Sequence, residues 1–216
     1  MPLHFLDNKF WFPPVDAALP DGLLAIGGDL SAERLLLAYR NGIFPWYGED
    51  EPPMWWSPDP RFVLFPEELK VSKSMRQVIG RGEFEFRVDT AFTDVIQNCR
   101  AVKRKGMDGT WIGEDVVDAY TAMHHLGYAH SAEAWKGGAL AGGLYGVLLG
   151  KVFFGESMFS RETNASKFAF IKWIELLEEQ GIVLIDCQVY TSHLASLGAG
   201  MISRADFIAI LSEYIC

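Results

Sequence analysis

The sequence predicts an α+β fold built on a mixed, mainly antiparallel sheet, and three observations lead there. The 216 residues are 50% hydrophobic and 22% charged, enough apolar matter to bury one substantial core plus a small annex. The texture changes once, near residue 62, from a loop-rich stretch to an alternation of strand-like and helix-like segments. In the second part, three strand-like runs follow one another directly and are succeeded by a long helix and a short apolar strand. Two domains are therefore expected, a small N-terminal α/β domain over residues 1–61 and a larger one over residues 62–216.

Residues 12–31 place turn formers every few positions. One helix follows: Ser31 suits its N-cap, Glu33 its N-terminal dipole, and the Leu35–Tyr39 run gives it an apolar stripe that Gly42 can end in a left-handed conformation. Trp46, Tyr47, Trp55 and Trp56 then crowd into eleven residues. Four prolines in the neighbouring PP and SPDP segments argue against a regular helix or a central strand. Beyond residue 62, Phe62–Phe65 reads as a strand, residues 73–79 as a helix capped by Ser72 and stopped by Gly80, and residues 84–88 as a strand. Helices are expected over 92–100 and 114–126. A meander follows over about 128–135, 139–149 and 152–158, with Gly137-Gly138 and Gly150-Lys151 as hairpin turns. Phe168, Ile171, Ile174, Leu176 and Leu177 recur near helical spacing, which predicts a helix over about 165–179, with the strand Ile182–Ile185 after it. Ser203 and Asp206 have the spacing of a capping box and open a last helix over about 204–214.

Several classes of protein are excluded by composition. The charge-free stretch Gly137–Gly150 has fourteen residues, six of them glycine, short of the roughly 20 apolar residues a spanning helix needs. The first charge is Asp7, so the basic start of a secretory signal is missing. Cys99, Cys187 and Cys216 are too few and too widely spaced for a disulfide framework or a metal knuckle. A reduced, cytoplasmic protein without membrane span or metal is expected, and a monomer, because no broad exposed apolar repeat is evident. A net charge of −9 and a pI near 5.0 argue at face value against a polyanionic partner. Charge is uneven, however. Lys70, Lys73, Arg76, Arg81, Arg87, Arg100, Lys103, Arg104 and Lys105 stand against Glu83, Glu85, Asp89 and Asp94, a local +5 that leaves −14 on the rest. Such a run is either an ordinary solvated face or a phosphate-binding side.

Motifs for nucleotide hydrolysis, dinucleotide binding, zinc proteolysis and serine hydrolysis are missing: there is no GxxxxGKS, GxGxxG, HExxH or GxSxG. What stands out is a set of polar residues beside apolar strands. Asp186, Cys187 and Gln188 follow the run IVLI directly, a common place for ligand-handling groups, although an Asp there also serves as a cap or turn former. Cys187 invites comparison with a nucleophile, but no histidine is near it in sequence to lower its pKa, and a small buried hydrophobe is the plainer reading. Glu156 lies among Phe153, Phe154, Met158 and Phe159. A carboxylate in such company must be paired or face solvent, which suggests the edge of a cleft.

The stretches GGDLS, GIFPW, WWSPDPR, GTWI, GGLYG, GESMFS, NASK and LIDCQ are long and idiosyncratic, and through them the sequence closely resembles the bacterial leucyl/phenylalanyl-tRNA–protein transferases from Phe12 to the final helix. The resemblance implies a small N-terminal domain on a larger one built like the GNAT acetyltransferases. It also implies an activity, transfer of leucine or phenylalanine, and less well methionine, from aminoacyl-tRNA to the α-amino group of proteins beginning with Arg or Lys, which marks them for degradation. No cofactor is implied. Asp186 and Gln188 would form the catalytic centre, Asp186 as acceptor of the ammonium proton or as a positioning group, Gln188 as its relay or orienter. Phe153, Gly155, Met158, Phe170, Trp173 and Ile185, with Trp111 nearby, would line an apolar pocket for the aminoacyl side chain. Trp46 would stack on the terminal adenine with help from Tyr39, and Glu156 would contact the aminoacyl end or the incoming cationic terminus. Lys70, Lys73, Arg76 and Arg81, the first part of the basic run, would hold tRNA phosphates. Leu144 stands where close relatives are expected to have Met, and Phe170 is bulky, so a tight pocket is implied; Thr191 stands where some relatives have Asn. Two rivals are an ordinary acetyl-CoA-dependent enzyme, which needs a (Q/R)xxGx(G/A) loop opening a helix, and a non-catalytic tRNA-binding module.

Overall fold

The computed structural model describes residues 3–102 and 112–215. Its first sheet has four strands, β1 (His4–Leu6), β2 (Leu23–Gly27), β3 (Phe44–Pro45) and β4 (Met54–Trp56), in the order β1-β2-β4-β3. β1 and β2 are parallel and the other pairs antiparallel. Helix α1 (Ala32–Arg40) lies between β2 and β3 in the chain, with the Ser31 hydroxyl accepting from the Arg34 amide and Gly42 at φ +71° just beyond its end. The expectation of a loop-rich start without a central strand is thus corrected. β4 sits between β2 and β3, and the prolines are compatible with it because Pro53 and Pro58 flank the strand and take no ladder N–H from it.

The second sheet has seven strands: β5 (Arg61–Leu64), β6 (Glu85–Val88), β7 (Ala129–Lys136), β8 (Ala139–Leu149), β9 (Val152–Ser160), β10 (Leu184–Gln188) and β11 (Gly200–Ile202). Their order is β11-β5-β10-β9-β8-β7-β6. Only β9 and β10 are parallel, since α5 (Ala165–Glu179) carries the chain back between them. The other helices are α2 (Lys73–Gly80), α3 (Phe92–Arg100), α4 (Glu114–His125), α6 (Ser192–Ala195) and α7 (Arg204–Tyr214). The architecture is α+β with mixed sheets, as expected.

Strand alternation divides the core into two layers. Leu144 of β8, Phe153 of β9 and Ile185 of β10 point to the face covered by α5 and α2, where Phe168, Ile171 and Ile174 pack. Their neighbours Tyr145, Phe154 and Leu184 point the other way, toward Val95 and Ile96 of α3, Tyr120 of α4 and Phe207 of α7. That second layer is continuous with Leu35, Tyr39 and Trp55 of the N-terminal part. Among the described residues no helix is long and apolar enough to cross a membrane.

One difference bears on function. The strand expected over Ile182–Ile185 runs instead from Leu184 to Gln188, so Asp186, Cys187 and Gln188 lie inside a strand and are buried, where emergence beyond its end was expected. β10 is held on both sides, Asp186 pairing with Val63 of β5 and with Phe154 of β9, and this keeps the polar residues in the ladder.

Candidate active site

The parallel ladder of β9 and β10 ends at the pair Phe154–Asp186, although β9 continues to Ser160 and β10 to Gln188. A cavity of about 550 Å³ opens beside that end. Leu144, Met158, Phe170 and Ile185 give it an apolar wall, Glu156 and Gln188 a polar corner, and Trp46 reaches it from the first sheet. On β10 the register slips between Asp186 and Gln188, and Gln188 takes φ +63°. A bulge of this kind re-aims a side chain. Here the Gln188 amide donates through Nε2 to Glu156 Oε1 at 2.9 Å.

Asp186 is turned elsewhere. Its Oδ1 accepts from Arg61 Nε at 2.8 Å and from the Gln188 backbone N–H at 2.9 Å, and its Oδ2 accepts from Arg61 Nη2 at 2.6 Å. Both side chains are sealed from solvent. The Arg61 guanidinium also donates to the Gly42 carbonyl at 3.1 Å and lies between the rings of Phe44 and Phe207, 4.7 and 4.6 Å from their centroids. Bidentate geometry and two aromatic faces are what an arginine needs to be buried with a carboxylate.

Glu156 is the second buried carboxyl. It accepts from the Tyr39 hydroxyl at 2.8 Å and from the Tyr120 hydroxyl at 3.1 Å, and the two hydroxyls also contact each other. Burial pushes its pKa up to about 7 against the pull of the Tyr39 and Tyr120 hydrogen bonds, with the nearby Asp186 charge adding to the rise. Burial also raises both tyrosines. The Cys187 thiol is pushed up by burial and then by Asp186, the opposite of what a nucleophile requires. His193, in the one-turn helix α6 after β10, lines the same cavity, and burial beside Lys167 holds it below the usual imidazole value.

Of the residues singled out in the sequence, Trp46, Gly155, Glu156, Met158, Phe170, Ile185, Asp186 and Gln188 come together at this cavity. Tyr39 stands behind it, fully buried and bound to Glu156. Phe153 and Trp173 pack edge to face, centroids 5.4 Å apart, in the core layer under α5 and are not among the lining residues. Trp111 lies outside the described residues, as do Lys103, Arg104 and Lys105. Lys70, Lys73, Arg76 and Arg81 are exposed on α2 or just outside its ends, and the Lys70 amide is bonded to the Leu197 carbonyl, just past the cavity-lining Leu194. Arg81, Arg87 and Arg100 are paired with Glu83, with Glu85, and with Glu49 and Glu114 respectively, which among the described residues of the run leaves Lys70, Lys73 and Arg76 outside any ion pair.

Two important residues escaped the sequence reading. Arg61 was legible only as the end of WWSPDPR, yet a single charge opening the apolar strand RFVL, matched by the single Asp in LIDCQ, is the mark of a buried pair. Tyr120 sits with Val116, Val117 and Met123 at the spacing of a buried helix face. No segment was expected to fit the acyl-CoA loop; QVIGRG (residues 77–82) does have its pattern, but it closes α2 and opens no helix.

The family model of the leucyl/phenylalanyl-tRNA protein transferases matches residues 63–212, and that of their N-terminal domain matches residues 28–59. The chain belongs to this family. A leucyl/phenylalanyl-tRNA–protein transferase of Syntrophobacter fumaroxidans is 57% identical over 215 residues, covering 100% of this chain and 92% of that one. One of Christiangramia forsetii is 52% identical over 211 residues, 97% of this chain and 100% of that one. Among solved structures, a GCN5-related N-acetyltransferase from Kribbella flavida is 9% identical with a TM-score of 0.38, covering 78% of this chain and 60% of that one. Leucyl/phenylalanyl-tRNA–protein transferases are acyltransferases, and the chain is an enzyme that moves an aminoacyl group from tRNA to protein.

Proposed function

We propose that the protein transfers leucine or phenylalanine, and less well methionine, from aminoacyl-tRNA to the α-amino group of proteins beginning with Arg or Lys, marking them for degradation. The observation that carries this reading is the junction, in one cavity, of an apolar wall with a buried carboxyl and amide. An unbranched-Cβ side chain fits against Leu144, Met158, Phe170 and Ile185, and this places the ester beside Glu156 and Gln188. The ester is already activated, and an α-amino group near pKa 8 is roughly a tenth neutral at pH 7, so no strong base is required. Holding amine and ester in line is the larger contribution, on the order of 7–11 kcal/mol.

In this reading the domain over residues 1–61 contributes Trp46 as a stacking platform for the terminal adenine, and the GNAT-like domain over 62–216 carries the catalytic centre. Lys70, Lys73, Arg76 and Arg81 take tRNA phosphates, and Glu156 attracts the cationic terminus. Of the two roles open to Asp186, the geometry supports positioning: tied to Arg61 and the Gln188 amide, it fixes the bulge that aims Gln188. The deciding experiment is transfer of radiolabelled leucine from leucyl-tRNA to a reporter protein starting with Arg. Labelling of Arg- and Lys-starting reporters but not of a Met-starting one is expected, and no labelling of either basic terminus would overturn the proposal.

A further inference from the structure

Three groups from three elements meet behind the cavity: the Tyr39 hydroxyl from α1, the Tyr120 hydroxyl from α4 and the Glu156 carboxyl from β9, with a contact along every side of the triangle. Each contact between oxygens needs one hydrogen. The two tyrosines supply two. With Glu156 ionised, both hydroxyls point at the carboxylate, and the two phenol oxygens face each other without a hydrogen between them. With a proton on Oε2 the count closes. Glu156 Oε2–H donates to the Tyr120 oxygen, Tyr120 O–H to the Tyr39 oxygen, and Tyr39 O–H to Glu156 Oε1, where Gln188 Nε2 also donates. Gain or loss of the proton therefore requires only that the Tyr120 hydroxyl, and with it its bonding to Glu156, turn round. Asp186 has no comparable freedom, being held by Arg61 through both oxygens.

We propose that Glu156, rather than Asp186, is the group that takes a proton from the attacking amine and returns it to the ribose oxygen. The inference rests on the aminolysis reading above. The amine lone pair forms the C–N bond to the ester carbonyl carbon while one N–H proton passes to the Glu156 carboxylate. The C–O bond then breaks, its electron pair stays on the 3′ oxygen, and that oxygen takes the proton from Glu156, which ends as it began. A carboxyl serves both halves of such an exchange best when its pKa lies near the working pH, and burial pushes Glu156 to about 7. The groups that act on it are Tyr39, Tyr120, Gln188 and Asp186, with Tyr145 and Arg61 acting on its neighbours Tyr120 and Cys187.

Glu156→Gln separates a proton-carrying role from a structural one. The amide N–H donates to Tyr120 and the amide oxygen accepts from Tyr39 and Gln188, so the ring of hydrogen bonds survives, but the side chain takes up no proton. We expect E156Q to unfold cooperatively in urea and to keep its affinity for aminoacyl-tRNA; acceptor KM rises, because the charge that attracts the cationic terminus is gone, and kcat at saturating acceptor falls at least about 100-fold. E156D, which keeps a titratable carboxyl one methylene further back, should regain at least tenfold over E156Q. In the infrared, the wild type should have a protonated-carboxyl C=O band that disappears between about pH 6 and pH 8 and that E156Q lacks. An E156Q enzyme within fivefold of wild-type kcat, an E156D no faster than E156Q, or the same titrating band in E156Q would each overturn the inference. A wild-type protein that transfers no leucine would instead overturn the functional reading on which it stands.

Discussion

Arg61→Met tests whether the catalytic centre depends on one buried ion pair. The pair is bidentate at 2.6 and 2.8 Å, with its side chains 1% and 0% exposed. Removing one partner of such a pair leaves an uncompensated buried charge and costs about 3–5 kcal/mol. Methionine keeps contact with the Phe44 and Phe207 rings, so packing loss is small, but the cation–π contribution disappears, roughly 0.5–1 kcal/mol or more per ring. We expect R61M to be destabilised by about 4–5 kcal/mol, and Asp186→Leu, which strands the guanidinium, by a similar amount. Urea unfolding of both single variants and the double variant reads the coupling directly. The R61M/D186L chain removes both charges and should be no less stable than either single variant, so the two effects fail to add by at least about 4 kcal/mol. Additivity to within about 0.5 kcal/mol would refute the reasoning, because two independent sites add and a shared buried pair does not.

Two further outcomes follow from the electrostatics. Glu156 is protonated more readily in the folded than in the unfolded chain, so its contribution to stability is full below about pH 4.3 and is lost as pH rises through about 7. Relative to E156Q, the wild type should therefore lose about 3 kcal/mol of unfolding free energy between pH 4 and pH 8; a pH-independent difference in urea denaturation contradicts this. Replacing Lys70, Lys73 and Arg76 by Ala should weaken tRNA binding similarly for tRNAs of different sequence. The slope of log K against log salt should fall by about 2, read by filter binding, whereas an unchanged slope places the phosphate contacts elsewhere.

Much of this was legible in the sequence because local signals and global fold agree. The Ser31, Ser72 and Ser203 caps, the meander with its glycine turns and the helix over 165–179 all occur close to where pattern alone puts them. The first sheet was not, since its strands are two to five residues long and one of them fits between prolines. The chemistry was half legible. LIDCQ and GESMFS pointed to the cavity, but which carboxyl faces it depends on a bulge and a left-handed Gln188 that no periodicity encodes. Which carboxyl is tied down depends on pairing between residues 125 positions apart.

The surroundings of Arg61 also set how far the chain can be divided. Its guanidinium is walled by Phe44 from the first sheet and Phe207 from the final helix, is bonded to the Gly42 carbonyl and faces Asp186 across β5 and β10. Neither aromatic wall belongs to the cavity's polar corner, yet both hold the group that holds the bulge. A fragment starting at residue 62 would contain every residue of that corner and still leave Asp186 without its counter-charge. One ending at Ser203 would open the guanidinium to water from the other side. The two sheets thus form one unit for chemistry even where the chain between them looks like a linker, and excision at that point would separate a pocket from its alignment.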